Sequence, residues 1–229
     1  MTLQIDGTRV IERLNDYTRR VVESNIHPDY SKLQLTWNIP IIKHVLKWIP
    51  PERDHLMGIG SFLGLLEFSF AEYFDRVTCV DHESFLPGFK PKNVHFHQVN
   101  LDSGSWKMPD GLVDMCFMIE TIEHLLWSPV PMLKWIHQNA RILVISTPDN
   151  DEWPAMLPKA WIRYQHFREI PSASPGLAGN PEPMNHCKQY GQSEFIELLD
   201  FCGFRLLEFQ RIGEGGHQML AICAPRLKQ

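Results

Sequence analysis

Several features are missing from this 229-residue sequence, and each absence removes a class of protein. No uninterrupted apolar run is long enough to cross a bilayer: the greasiest stretch, 59–70, is broken by Glu67. Asp6 and Arg9 precede any apolar run at the N-terminus, so neither a membrane span nor a signal peptide is expected. Basic charge is not concentrated anywhere. The 22 Lys and Arg are scattered among 27 Asp and Glu, for a net charge of −5, and no stripe exists to neutralise a phosphate backbone. Nucleic acid is therefore not an expected partner. There is no C-x-x-C pair either. Cys79, Cys116, Cys187, Cys202 and Cys223 are odd in number and widely spaced, which disfavours zinc knuckles and dithiol redox chemistry and suits reduced thiols in a cytoplasmic protein. Internal repeats and low-complexity tracts are also lacking.

What is present suffices for a core. Hydrophobic residues make up 44% of the chain and charged residues 21%, and at about 150 residues per domain the length corresponds to one core with an elaboration. Residues 1–50 carry apolar positions at helical spacing (Val10, Leu14, Tyr17, Val21, then Ile41, Ile42, Val45, Leu46, Ile49) until Pro50-Pro51. From residue 51 onward a second unit is expected, with short apolar runs at 55–59, 76–80, 94–99, 113–119 and 140–146 alternating with helical segments. That alternation predicts a parallel sheet covered on both faces. Ser128-Pro129 predicts a helix start, and Ser193 predicts another, with Gly203 at that helix's C-terminal end. Two last strands, 204–212 and 218–223, are joined by Gly213-Glu214-Gly215-Gly216. The connection is too short for a crossover helix, so the pair must be antiparallel. Residues 150–185, rich in proline and aromatic side chains, predict an insertion that closes over a ligand, helical in its middle, 155–170.

The chemistry concentrates where the first strand ends. Gly58-Ile59-Gly60-Ser61-Phe62-Leu63-Gly64 is a glycine turn leading into a helix, and Asp81 closes the second strand. Glycines at such a turn let a ligand approach the backbone, and a carboxylate at the tip of strand two is placed to accept both hydroxyl protons of a ribose. A nicotinamide-binding turn would need G-x-G-x-x-G, a spacing that Gly60 and Gly64 do not meet. His95 and His97 share a strand face, but no carboxylate or cysteine at ligand spacing accompanies them, and no metal site is assigned.

At this point the chain resembles the class I S-adenosylmethionine-dependent methyltransferases, whose first motif is acid-x-Gly-x-Gly-x-Gly. Aligned on Gly60 and Gly64, Phe62 takes the middle glycine's place and Gly58 that of the acid. The resemblance continues through 94–102 as the third strand and its loop, with Asn100 or Asp102 toward the adenine. Glu120-Thr121-Ile122-Glu123-His124 is similar to the family's E-x-x-E-H, Ile145-Ser146-Thr147-Pro148-Asp149-Asn150 to its I-S-T-P-N, and His186 through Tyr190 to its H-x-x-x-Y before a helix and Gly203-Phe204. These landmarks run in order over 55–223, and the pattern is similar to that of small-molecule methyltransferases of the ubiquinone-biosynthesis type.

The resemblance implies a three-layer α/β fold with a mostly parallel seven-stranded sheet, order 3-2-1-4-5-7-6, the last strand antiparallel. It implies S-adenosylmethionine as cofactor, with S-adenosylhomocysteine as product. The implied cofactor site is Gly58, Gly60, Ser61, Phe62, Gly64, Asp81, His82, Asn100, Leu101, Asp102, Ile119 and Glu120. The acceptor is expected to be a small molecule methylated at oxygen, in a monomer or homodimer, with His124 or His186 as base and Asp149 as a third candidate. Two rival readings are a non-catalytic member of the fold, suggested by Gly58 and Phe62, and a nucleotide-dependent oxidoreductase.

Overall fold

A computed structural model describes residues 5–102, 107–152, 164–171 and 186–226. Two helices, α1 (Gly7–Glu23) and α2 (Pro28–Val45), precede the strands. Asp6 caps α1 by accepting from the backbone of Thr8 at 2.9 Å, and the helix buries Val10, Leu14 and Val21 on one stripe. Pro28 opens α2, which buries Trp37, Ile41, Ile42 and Val45. The far end of α2 is tied to the sheet by Glu208, whose carboxylate accepts from Trp48 Nε1 at 2.6 Å and faces His44 Nδ1 at 2.7 Å and Lys47 Nζ at 2.9 Å.

Seven strands follow: β1 (His55–Ile59), β2 (Arg76–Asp81), β3 (Val94–Gln98), β4 (Val113–Ile119), β5 (Ala140–Pro148), β6 (Phe204–Ile212) and β7 (Gln218–Pro225). They form one sheet in the order β3-β2-β1-β4-β5-β7-β6, as expected. β7 runs antiparallel to both β5 and β6, and to β6 because the short 213–217 connection allows only a hairpin. The central strands β1 and β4 are buried but for Ile119 at the end of β4, as a sheet covered on both faces requires. Helices α1, α2 and α3 (Leu65–Phe70) belong to one apolar cluster, with Met115, Phe117 and Ile222. Helices α4 (Val130–Asn139) and α5 (Gln192–Phe201) belong to the other, with Met57, Cys116 and Ile145. Among the described residues no helix is long and apolar enough to cross a membrane.

Two helix starts differ from the sequence expectation. α4 begins at Val130, with Pro129 at the cap, and Ser128 Oγ reaches only the Val130 amide, at 3.4 Å. α5 begins at Gln192, so Ser193 lies inside its first turn. The cap is supplied from a distance by Asp151, whose Oδ2 accepts from the Gln192 amide at 2.9 Å. Gly203 has the positive φ, +92°, expected after the helix. Most of the 150–185 insertion, and most of the helix predicted over 155–170, lies outside the described residues. The end that is described, Phe167–Glu169, is a 3-10 turn rather than an α-helix.

That turn is fastened by a buried ion pair. Lys188, 3% exposed, donates to Glu194 Oε2 at 2.7 Å and to the carbonyls of Gln165 at 2.8 Å and Gln189 at 2.6 Å, while Glu194 Oε1 accepts from the Phe167 amide at 2.6 Å. Removing one partner of a buried pair strands the other charge at a cost of about 3–5 kcal/mol. Lys188→Met is therefore expected to lower unfolding free energy in urea by about that much, and Lys188→Met with Glu194→Gln to recover most of the loss. Equal instability of the single and double variants would show that the pair itself is not what holds the turn.

Candidate active site

The sheet order reverses direction between β1 and β4, and the ends of these two strands open a crevice at the carboxyl edge. The turn that leaves β1 is stitched to the tip of β2: the Gly60 amide donates to the Val80 carbonyl at 2.8 Å, and the Gly64 amide to the Ser61 carbonyl at 2.8 Å. Gly60 has φ +69°, and a Cβ there would lie 2.4 Å from Thr121 Oγ1 on the opposite wall, so only glycine fits. Phe62 also adopts a left-handed φ, +48°, a strained position for a large side chain. Its ring compensates by packing against Phe85, Tyr30 and His27, with centroids at 4.9, 5.4 and 5.2 Å. The helix after the turn, α3, is only six residues long.

Asp81 stands at the tip of β2, buried, with both oxygens engaged. Oδ2 accepts from the Phe62 amide at 2.9 Å, and Oδ1 accepts from the His82 amide at 2.7 Å and lies 2.8 Å from His82 Nδ1. The carboxylate thus holds the turn in shape and retains lone pairs for further donors. His82 is exposed beside it. The adenine-side candidates separate. Asn100 is exposed and its Oδ1 accepts from the Asp102 amide at 2.9 Å, whereas Asp102 Oδ1 accepts from Leu126 at 2.7 Å and so braces the loop after β4. Leu101 packs against the core under that loop, and Ile119 ends β4 half-buried.

The loop after β4 carries the titratable groups. Glu120 has φ +48°, its amide donates to the Ser146 carbonyl at 3.1 Å, and its Oε1 accepts from Ser146 Oγ at 2.7 Å. Desolvation pushes its carboxyl up to about 7. Glu123 is fully buried: Oε2 accepts from Thr147 Oγ1 at 3.1 Å, and Oε1 makes no hydrogen bond. Burial, and then the neighbouring Glu120, hold its carboxyl well above the ordinary range. From α2, Tyr30 enters the same neighbourhood, its phenol raised by burial and then by the charges of Glu120 and Glu123.

His124 and His186, far apart in sequence, meet here, with ring centroids 4.7 Å apart and the rings nearly perpendicular. His186 is pushed down to about 4, first by burial and then by His124, and its Nδ1 is buried without a hydrogen bond. His124 Nε2 lies 3.9 Å from Glu123 Oε1. One ligand atom from each of Glu123, His124 and His186 falls within 4.8 Å of the others, a spacing at which a divalent cation could be held. Glu123 entered the sequence reading through the E-x-x-E-H segment, with no metal-ligand role assigned to it. The signal of the grouping was the E-H pair with a later histidine, which was read there as a proton acceptor. His95 and His97 do not belong to it. Asp149, the third base candidate, is fully buried and paired with Arg211 Nε at 2.6 Å, which anchors β6 instead.

No family model matches the chain, and no curated protein matches it. Solved structures do. Magnesium protoporphyrin IX methyltransferase from Synechocystis PCC 6803, with bound S-adenosylhomocysteine, is 14% identical with a TM-score of 0.59, over 96% of this chain and 100% of that one. A putative methyltransferase from Haloferax volcanii, in complex with the activator Trm112, gives 12%, 0.59, 96% and 99%. A methyltransferase from Methanosarcina mazei gives 18%, 0.54, 80% and 98%. The fold is that of the S-adenosylmethionine-dependent methyltransferases. Within this methyltransferase fold the glycine turn, Asp81 and the Glu120–His124 loop all stand at the ligand edge of the sheet.

One more carboxyl lies under the turn. Glu67 of α3 is 5% exposed, and burial pushes it from 4.5 up to about 7. A folded-state value above the unfolded one means that the native protein binds the extra proton. Stability contributed by this group is thus present at low pH and is lost as pH rises from about 4.5 through about 7, on the order of 3 kcal/mol in all. Glu67→Gln, which keeps the shape of the neutral form, is expected to match the parent near pH 5 and to melt several degrees higher at pH 8. A melting-temperature difference that does not change between these pH values would contradict the buried position of the carboxyl.

Proposed function

We propose that this protein transfers the methyl group of S-adenosylmethionine to a hydroxyl of a small molecule. The observation that carries the reading is the juxtaposition, at one sheet edge, of a glycine turn and strand-tip carboxylate with a group made of buried Glu123 and half-buried His124 and His186. In such a transfer the new oxygen–carbon bond forms as the sulfur–carbon bond breaks, the sulfonium becomes a neutral thioether, and the acceptor's proton leaves. The cofactor supplies an activated methyl, so the chain's task is to align the two reactants and exclude water, worth roughly 7–11 kcal/mol. Asp81 would accept the ribose hydroxyls, and residues 60–64 would lie against the methionine end.

The acceptor's proton is the part the Glu-His-His group would manage. A histidine held near 4 is a poor base for a hydroxyl at neutral pH, but it is neutral and therefore free to ligate. Together with the unpartnered Glu123 Oε1, this favours a divalent cation on Glu123, His124 and His186 over a lone histidine base. A cation there would lower the acceptor's pKa and orient it. The small-molecule acceptor is supported by the scattered charge of the chain and by the porphyrin methyltransferase among its structural neighbours. Phe62 in its strained position favours the rival reading of a fold that no longer binds the cofactor.

Calorimetric titration separates these readings. S-adenosylhomocysteine is expected to bind and NAD not to; Asp81→Ala should weaken the former at least about tenfold, since charge-assisted hydrogen bonds contribute about 1.5–3 kcal/mol each. Binding of NAD alone would point to an oxidoreductase, and binding of neither to the non-catalytic reading. For the cation, Mn2+ or Zn2+ added to chelator-treated protein is expected to raise the melting temperature of the parent but not of His186→Ala. The same shift in both would place the ion elsewhere.

A further inference from the structure

Gly58 lacks a side chain for a reason that its backbone does not explain. Unlike Gly60 and Gly64 it has no positive φ, so its conformation is open to any residue. Space is what forbids one. A Cβ on Gly58 would lie 1.9 Å from Glu67 Oε1 and 2.6 Å from its Cδ, with Ser61 Oγ also at 2.6 Å. The place that a strand residue's side chain would occupy beneath the turn is filled by a carboxyl arriving from the helix. No described cation offsets that charge: the one charged group acting on Glu67 is Asp81, of the same sign. The Ser61 hydroxyl stands beside that carboxyl, and its interaction only partly offsets the burial. A glutamine or an apolar residue would suit so dry a position better, and yet an acid stands there, under a turn built for close approach.

We propose that Glu67 is a cofactor-positioning residue: it supplies from α3 the acid that the first strand lacks at Gly58, and balances the ammonium group of the cofactor's amino-acid end through the Ser61 side of the turn. The inference rests on the reading that this turn takes S-adenosylmethionine. Gly58 and Glu67 then form one unit in which the side chain has moved from strand to helix while its carboxyl has stayed in place, so the glycine is a consequence of the glutamate and not a sign of lost function.

Two ligands distinguish this role from a structural one. S-adenosylhomocysteine carries the amino-acid end, and 5′-methylthioadenosine lacks it while keeping the nucleoside and the sulfur. Glu67→Gln is expected to weaken S-adenosylhomocysteine about tenfold and to leave 5′-methylthioadenosine within twofold, by calorimetry at pH 7.5. Gly58→Asp alone should lower the melting temperature, because its Cβ meets Glu67. The same substitution combined with Glu67→Ala should restore both folding and S-adenosylhomocysteine affinity. Unchanged affinity in Glu67→Gln, or equal loss for both ligands, overturns the proposal while the methyltransferase reading stands. Failure of the double variant to regain what Glu67→Ala loses overturns it too. If the parent binds neither ligand, the functional reading falls and the proposal with it.

Discussion

The pairing of β1 with β4 is the contact on which the rest depends. Only Leu56–Met115, Met57–Cys116 and Gly58–Phe117 are in register, after which the strands part. Thr121 spans the gap, its hydroxyl lying 3.2 Å from the Ile59 carbonyl and 2.9 Å from that of Ile119. Chain leaving β1 turns toward β2, and chain leaving β4 turns toward β5, so a crevice opens where no backbone crosses. Gly60 faces Thr121 too closely for a side chain, which gives the crevice a floor of backbone.

Around that floor the protein gathers acids rather than ion pairs. Glu67, Glu120 and Glu123 all sit where desolvation favours their neutral forms, and His186 is likewise held neutral. The three glutamates oppose folding as pH rises and His186 opposes it as pH falls, in contrast with Lys188–Glu194 and Arg211–Asp149, which anchor the surrounding segments. Poorly compensated polarity at one edge and well-compensated polarity elsewhere is the distribution expected of a site that meets a cation, a ligand donor or a metal. The N-terminal helices take part: Tyr30 brings a hydroxyl toward Glu120 and Glu123, and it seats the ring of Phe62 together with His27.

Strand texture and the short glycine link were legible because they are local. Alternating strand and helix patterns specify a parallel sheet, and four residues between 212 and 217 cannot return a chain parallel to itself. Asp81 was legible for the same reason, as an acid ending an apolar run. The helix starts at Val130 and Gln192 were less so. A serine near a helix start is a good local cap, but Asp151 reaches the Gln192 amide from across the fold, and nothing near Ser193 announces it. The partner of Asp102, the Leu126 amide, is not local either.

The sequence by itself determined the architecture, the glycine turn and the strand-tip carboxylate, since hydrophobic period, turn length and backbone freedom act over a few residues. Tertiary structure decided which side chains share a volume. His124 and His186 meet Glu123 through the return of the chain beside β5, and Glu67 fills the space left by Gly58 through the pitch of α3 over β1. Those meetings also set the proton affinities, because desolvation depends on everything packed around a group and on no residue next to it in sequence.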